Sequence, residues 1–222
     1  MTFYTDILPW FWHWLCWPLL VLCGGLAIWQ FPLRKVLAVP LRQHLVLGSV
    51  IALVLIWKLA ARLQDYDFGI HLFAVTAVVM LVGVSPALII SALALVLYTL
   101  IEPAIGWSTY AVNFSLGLLP PILASGACLK IVSRLPQKNL FAYMLGVGFA
   151  GAIAARLITT LLVYGLMVVS NEPALVKIAD TYLPWMLLIT FPEGFINGMI
   201  ISGVTVYCPH WVRSFDEERY LG

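Results

Sequence analysis

Residues 140–169 read LFAYMLGVGFAGAIAARLITTLLVYGLMVV, a stretch in which Arg156 is the sole ionisable Asp, Glu, Lys or Arg. As a helix this stretch is ~45 Å long at 1.5 Å per residue. The hydrocarbon core of a bilayer is ~30 Å thick and is crossed by ~20 apolar residues. A run this long and this apolar has no place on the surface of a soluble fold. It reads as a membrane span, and its neighbours repeat the pattern.

The whole chain agrees. Of 222 residues, 63% are apolar and 10% are charged, against ~45–50% and ~25% in ordinary soluble domains. Mean hydropathy is +1.00. A single soluble core cannot hide that much apolar surface at this size. The formal net charge of +2 is too small to mark a nucleic-acid partner. Soluble enzyme, nucleic-acid binder and disordered tail are excluded as readings of the whole chain. The predicted fold class is an all-α, polytopic helix bundle forming one integral membrane domain over residues 1–222, with the lipid bilayer as its main partner.

Seven spans are predicted, near residues 10–29, 44–63, 68–84, 86–101, 110–129, 145–169 and 183–207. Lys58 and Arg62 lie close enough to the end of the second span to snorkel. The Ser85-Pro86 step separates the third and fourth, since the residue before proline resists helix. Both of those are short, which points to a hairpin buried among other helices. Arg34, Lys35 and Arg42 fill the first connection, and Lys130, Arg134 and Lys138 the fifth. The even connections carry Asp65 and Asp67, then Glu102, then Glu172, Lys177 and Asp180. Excess Lys and Arg marks cytoplasmic loops. The expectation is an outside N-terminus and an inside C-terminus, with residues 208–222 as a cytoplasmic tail, in a multi-pass protein of the cell (inner) membrane. The opening MTFYTDILPW lacks a basic segment and contains Asp6, so it does not read as a cleaved signal.

The cysteines Cys16, Cys23, Cys128 and Cys208 form no C-x-x-C pair, which leaves them as small buried apolar residues. Chemistry inside a membrane is sought at ionisable or ligating side chains within spans. That selects His13, His44, His71, Arg156 and Glu193, with Asn113 and Asn197 as uncharged polar partners. His71 stands in DYDFGIHLF beside the acidic connection. A neutral imidazole there suits a divalent transition metal, and Asp65 and Asp67 raise the local cation concentration. The alternative is an interfacial histidine bonded to a nearby carbonyl. His13, in WFWHWLCW, is a weaker metal candidate, because tryptophan-rich helix ends are ordinary interfacial belts. His44 and His210 read as surface residues. Arg156 and Glu193 are each costly alone in low dielectric, so a structural pair between them is expected. Gly194 and Gly198 form G-x-x-x-G, a pattern that allows close helix approach.

Three blocks together resemble one family. GIHLFAVTAVVMLVGVSPALI (69–89) is similar to its Ser-Gly-His-Leu segment and following small-residue helix. GWSTYAVNFSLGLLPPIL (106–123) is similar to its Gly-Leu-Thr-Thr-Leu-Gly-Ala-Asn block. FPEGFINGMIISGVTV (191–206) resembles its closing Ala-Glu-Gly helix. The family is that of the CbiM/NikM-type permeases, the cobalt/nickel substrate-binding membrane components of energy-coupling factor transporters. The resemblance covers about residues 65–207. It implies about seven helices, no enzyme activity and no permanently bound cofactor, with a divalent cobalt or nickel ion as transported substrate. It also implies an ATP-binding cassette ATPase and a transmembrane coupling subunit as partners. In the family the metal is held by the N-terminal amine, a histidine at position two and the histidine of the Ser-Gly-His segment. His71 occupies the last of these places, while position two is Thr2 and Ile70 stands before the histidine.

Three readings compete. The first is a metal-uptake component. The second is an accessory or sensing membrane protein of the same fold without metal transport, favoured by Thr2. The third is an intramembrane enzyme, opposed by the sequence: Ser85 lies fourteen positions from His71, too far for a hydrogen-bonded dyad on one helix.

Overall fold

The computed structural model describes residues 2–3, 9–59, 61–62, 68–135, 139–216 and 220. Asp65, Asp67, Lys138 and Arg219 lie outside the described residues. The elements are β1 (Thr2–Phe3), α1 (Trp10–Gln30), α2 (Leu33–Leu37), α3 (Pro40–Lys58), β2 (Ala61–Arg62) and β3 (Phe68–Ile70). They continue with α4 (Val75–Val82), α5 (Val84–Ile101), α6 (Trp107–Val132), α7 (Leu140–Val169) and α8 (Pro173–Tyr207). Among the described residues, six helices are long and apolar enough to cross a membrane: α1, α3, α5, α6, α7 and α8. The chain is a multi-pass membrane protein built as a helical bundle.

The third predicted span, 68–84, is where the structure departs most from the sequence reading. It divides into the short strand β3, an irregular stretch over 71–74 and α4, whose eight residues reach only ~12 Å. The helix break falls at Gly83, not at the Ser85-Pro86 step. Gly83 has φ +90°, a conformation glycine adopts at little cost, and Pro86 sits in the first turn of α5 where a missing N–H is harmless. The Ser85 hydroxyl donates to the Ala27 carbonyl at 2.8 Å.

The short helix α4 lies at the centre of the molecule. Val75, Val78 and Val79 pack with α3, α5 and α6, while Ala77 and Met80 pack with α7 and α8. Both of its ends are capped by distant parts of the chain. At the C-terminal end the Arg213 and Ser214 amides donate to the Leu81 and Met80 carbonyls at 3.0 and 3.3 Å. The Arg213 guanidinium donates to the Val82 carbonyl at 3.1 Å. These satisfy the last-turn carbonyls that a helix leaves orphaned.

Two other boundaries differ from expectation. The second span ends at Lys58, and Arg62 lies in β2 instead of on the helix. Lys58 pairs with Glu102 at 3.1 Å, joining the ends of α3 and α5. The helix of the seventh predicted span, α8, begins at Pro173, ten residues before the expected start, so Lys177 and Asp180 belong to it. Its 35 residues extend ~52 Å, beyond the hydrocarbon thickness. Pro184 and Pro192 lie inside it without ending it, as prolines do in membrane helices whose neighbours satisfy the freed carbonyls.

The three short strands form one antiparallel sheet in the order β1-β3-β2. Thr2 is in register with Gly69 and Phe3 with Phe68. The sheet places the chain's first described residues directly beside the strand that leads into His71.

Candidate functional site

Residues 71–74 are non-helical backbone buried inside a membrane protein. Such backbone persists only where protein groups replace the missing ladder, and every hydrogen bond has to be found. The Arg156 guanidinium, on α7, donates through Nη1 to the His71 carbonyl at 3.0 Å. The Trp57 indole, on α3, donates to the Phe73 carbonyl at 3.2 Å. On α8, Glu193 accepts the Phe73 amide at Oε2 (2.6 Å) and the Ala74 amide at Oε1 (2.8 Å). Asn197, one turn later, accepts the Ala77 amide at 2.9 Å and donates to Glu193 Oε1 at 2.8 Å. Glu193 and Asn197 are therefore side-chain caps for the N-terminus of α4. A carboxylate at a helix N-terminus also meets the positive end of its dipole.

This cap fixes an unusual backbone. Ala74 adopts φ 56°, a left-handed conformation uncommon for a residue with a side chain. The turn aims the chain from the sheet into α4.

Arg156 and Glu193 approach each other to 3.8 Å, Nη1 to Oε2, and both are fully buried. Each is nevertheless closer to the 71–74 backbone than to the other. Arg156 also donates to the Met186 sulfur at 2.8 Å and lies 4.1 Å over the Phe73 ring. The guanidinium thus has an anion, a carbonyl, a thioether and a π face around it. Charge pairing and backbone support are one structure.

The His71 side chain is buried, 4% exposed, with Trp57 and Phe73 rings at 5.7 and 5.9 Å between centroids. Its Nδ1 lies 2.9 Å from the Leu72 carbonyl. A carbonyl only accepts, so Nδ1 carries the proton and Nε2 carries the lone pair in the neutral ring. A hydrogen bond from Nδ1–H to a carbonyl is the usual way a ligating histidine is oriented. The same tautomer serves a purely structural histidine.

Asn113, on α6, clamps β1. Its Oδ1 accepts the Phe3 amide at 2.8 Å and its Nδ2 donates to the Phe3 carbonyl at 3.1 Å. The Thr109 hydroxyl adds a bond to that carbonyl at 3.3 Å. Asn113 opens a six-residue π-helical segment, 113–118, that is buried throughout; such widened turns recur at functional sites. His13 is half-buried on α1, its ring Nδ1 3.2 Å from the Ser108 carbonyl. It borders an apolar depression of about 650 Å³ with Trp14 and Trp17.

The structure brings His71, Arg156, Glu193 and Asn197 into one module and sets the Asn113 side chain, from α6, against the neighbouring strand β1. Among the described residues, no group of three or more His, Cys, Asp or Glu side chains gathers at one point. Sequence reasoning missed Trp57 and Met186. Both sit in apolar helices where nothing distinguishes them from packing residues.

Residues 6–211 match a family profile described as the cobalt uptake substrate-specific transmembrane region, CbiM. A solved structure described as the crystal structure of a transition metal transporter superposes with a TM-score of 0.61 at 15% sequence identity. The alignment covers 88% of this chain and 86% of that one. At that identity the likeness is one of fold. No curated protein sequence matches.

Proposed function

The chain belongs to the CbiM family of cobalt uptake substrate-specific transmembrane regions, and from that premise we propose that it is the substrate-binding permease of an energy-coupling factor transporter. Its substrate in this reading is divalent cobalt or nickel. The ATPase pair and the transmembrane coupling subunit are its partners. The basic connections face the cytoplasm, so the sheet and His71 lie toward the outside.

The observation that carries the reading is the register of β1 on β3. It brings the Thr2 backbone opposite Gly69, two residues before His71. The resemblance calls for metal donors from the chain's start and from this histidine, and the two segments are paired strands. His71 supplies an imidazole, a ligand type suited to these borderline metals. Further donors come from the β1 segment, with His13, Asp65 and Asp67 as weaker candidates. Arg156, Glu193 and Asn113 are the supports that hold the two segments in place.

A second reading, an accessory or sensing protein of the same fold, rests on Thr2 standing where the family has histidine. Calorimetry of the purified full-length protein with nickel, cobalt and zinc separates the two. Binding that disappears in His71→Ala supports the permease. Absence of heat with all three metals, or undiminished binding by His71→Ala, favours the second reading.

A further inference from the structure

The end of the bundle that carries the basic connections contains a cavity of about 550 Å³, within the size range of small-ligand pockets. It lies between the α1–α3 connection, the junction of α4 with α5, and the segment after α8. Lys35, Arg42 and Arg213 line it. Among the described residues, no acidic side chain does so.

The two arginines are held by main-chain carbonyls. Arg213 donates to the Val82 carbonyl at 3.1 Å, and Arg42 to the Lys35 carbonyl at 3.5 Å. A carbonyl orients a guanidinium without cancelling its charge. The remaining wall is apolar, including Val39, Leu45 and Trp211. Three cations above an apolar wall, at the level where α1 and α8 end and α3 begins, match a ligand with an anionic head and a hydrocarbon body.

We propose that this cavity binds the phosphate-bearing headgroup of an anionic membrane phospholipid. Lys35, Arg42 and Arg213 engage the phosphate, and Val39, Leu45 and Trp211 pack against the proximal acyl chain. Ordinary loop positivity accounts for basic residues on a convex surface. It does not account for cations converging with apolar side chains on a recess between helices, the arrangement that recognises lipid headgroups. Arg213 also caps α4, so an occupied site steadies the helix that follows His71.

The test is native mass spectrometry of the purified full-length protein, titrated separately with phosphatidylglycerol, phosphatidylcholine and inorganic phosphate. Phosphatidylglycerol is expected to bind best, with phosphatidylcholine weaker by at least tenfold. The Lys35→Gln/Arg42→Gln double variant leaves Arg213 in its capping role. It should lose about thirtyfold in phosphatidylglycerol affinity, roughly fivefold for each cation near the headgroup plane. Arg34→Gln removes a charge from the same connection without touching the cavity and should change little. Lys35→Arg/Arg42→Lys should keep the preference. Equal binding of the two lipids, or an Arg34→Gln loss as large as that of the double variant, overturns the site. Inorganic phosphate binding as tightly as phosphatidylglycerol overturns the lipid assignment.

Discussion

Arg156 holds His71 by its backbone: the guanidinium donates to the histidine carbonyl at 3.0 Å from a position with no solvent exposure. Through this bond a charge on α7 fixes the one histidine that stands on the buried irregular stretch. Glu193 completes the arrangement from α8 by taking the next two amides that lack a helical partner. The pair therefore has two duties, mutual neutralisation and the support of a backbone that lipid could not satisfy.

Substitutions should separate those duties. Arg156→Leu leaves a buried carboxylate without its cation, a loss of about 3–5 kcal/mol for one partner of a buried pair. Adding Glu193→Gln removes the charge and keeps an acceptor for the Phe73 and Ala74 amides, so stability should partly return. Adding Glu193→Leu instead orphans both amides at about 1–3 kcal/mol each, and no recovery is expected. Thermal unfolding in detergent, followed by circular dichroism, reads the difference. Equal recovery by Gln and Leu would show that only the charge matters.

Arg156 and Glu193 stand out in the sequence because each interrupts an apolar run. Their approach was legible for that reason. The capping role of Glu193 was not, because its amide partners lie about 120 positions away and no local pattern records them. For the same reason the stretch 68–84 reads as one helix: its apolar residues fit a span, and the groups that make 71–74 irregular come from α3, α7 and α8. Charge misled in the other direction. Glu172, Lys177 and Asp180 read as a connection, yet the last helix begins at Pro173 and carries Lys177 and Asp180. The six long spans needed only hydropathy. The position of β1 beside β3 is tertiary, and neither composition nor the resemblance called for a strand pair there.

Gly194 sets the distance between α7 and α8. A Cβ there would stand 2.6 Å from Ile153 Cγ1 and 3.0 Å from the Phe149 carbonyl oxygen, and the second contact is backbone that cannot rotate away. Gly194→Ala should cost about 1–3 kcal/mol by overpacking and displace the neighbouring Glu193. Adding Ile153→Ala relieves the side-chain clash alone and should restore only part of the loss. A Gly194→Ala unfolding midpoint equal to that of the parent would refute this contact geometry.

The proposed orientation follows from the alternation of basic and acidic connections. Reporter fusions after Lys138 and after Gly222 should report the cytoplasm, and one after Lys177 the outside. The last is the sharper test, since Lys177 sits in the extended start of α8. A cytoplasmic signal there would reverse the orientation, and His71 with it.

Asn113 offers the most direct test of whether β1 contributes to the metal site. Its amide meets both the N–H and the carbonyl of Phe3, so Asn113→Ala removes both of those bonds while leaving His71 and its supports untouched. If β1 supplies donors, nickel affinity should fall about 10–100-fold, the usual effect of losing a supporting partner, with helical content retained. His71→Ala should abolish binding and His44→Ala should leave it unchanged. The pH dependence has a defined sign: only the neutral ring ligates, so affinity is retained at high pH and lost as pH falls and Nε2 takes up a proton. Calorimetric titration of the parent and of Asn113→Ala across that range measures both effects. Parent-like affinity in Asn113→Ala would remove β1 from the site and leave His71 to act with donors from elsewhere.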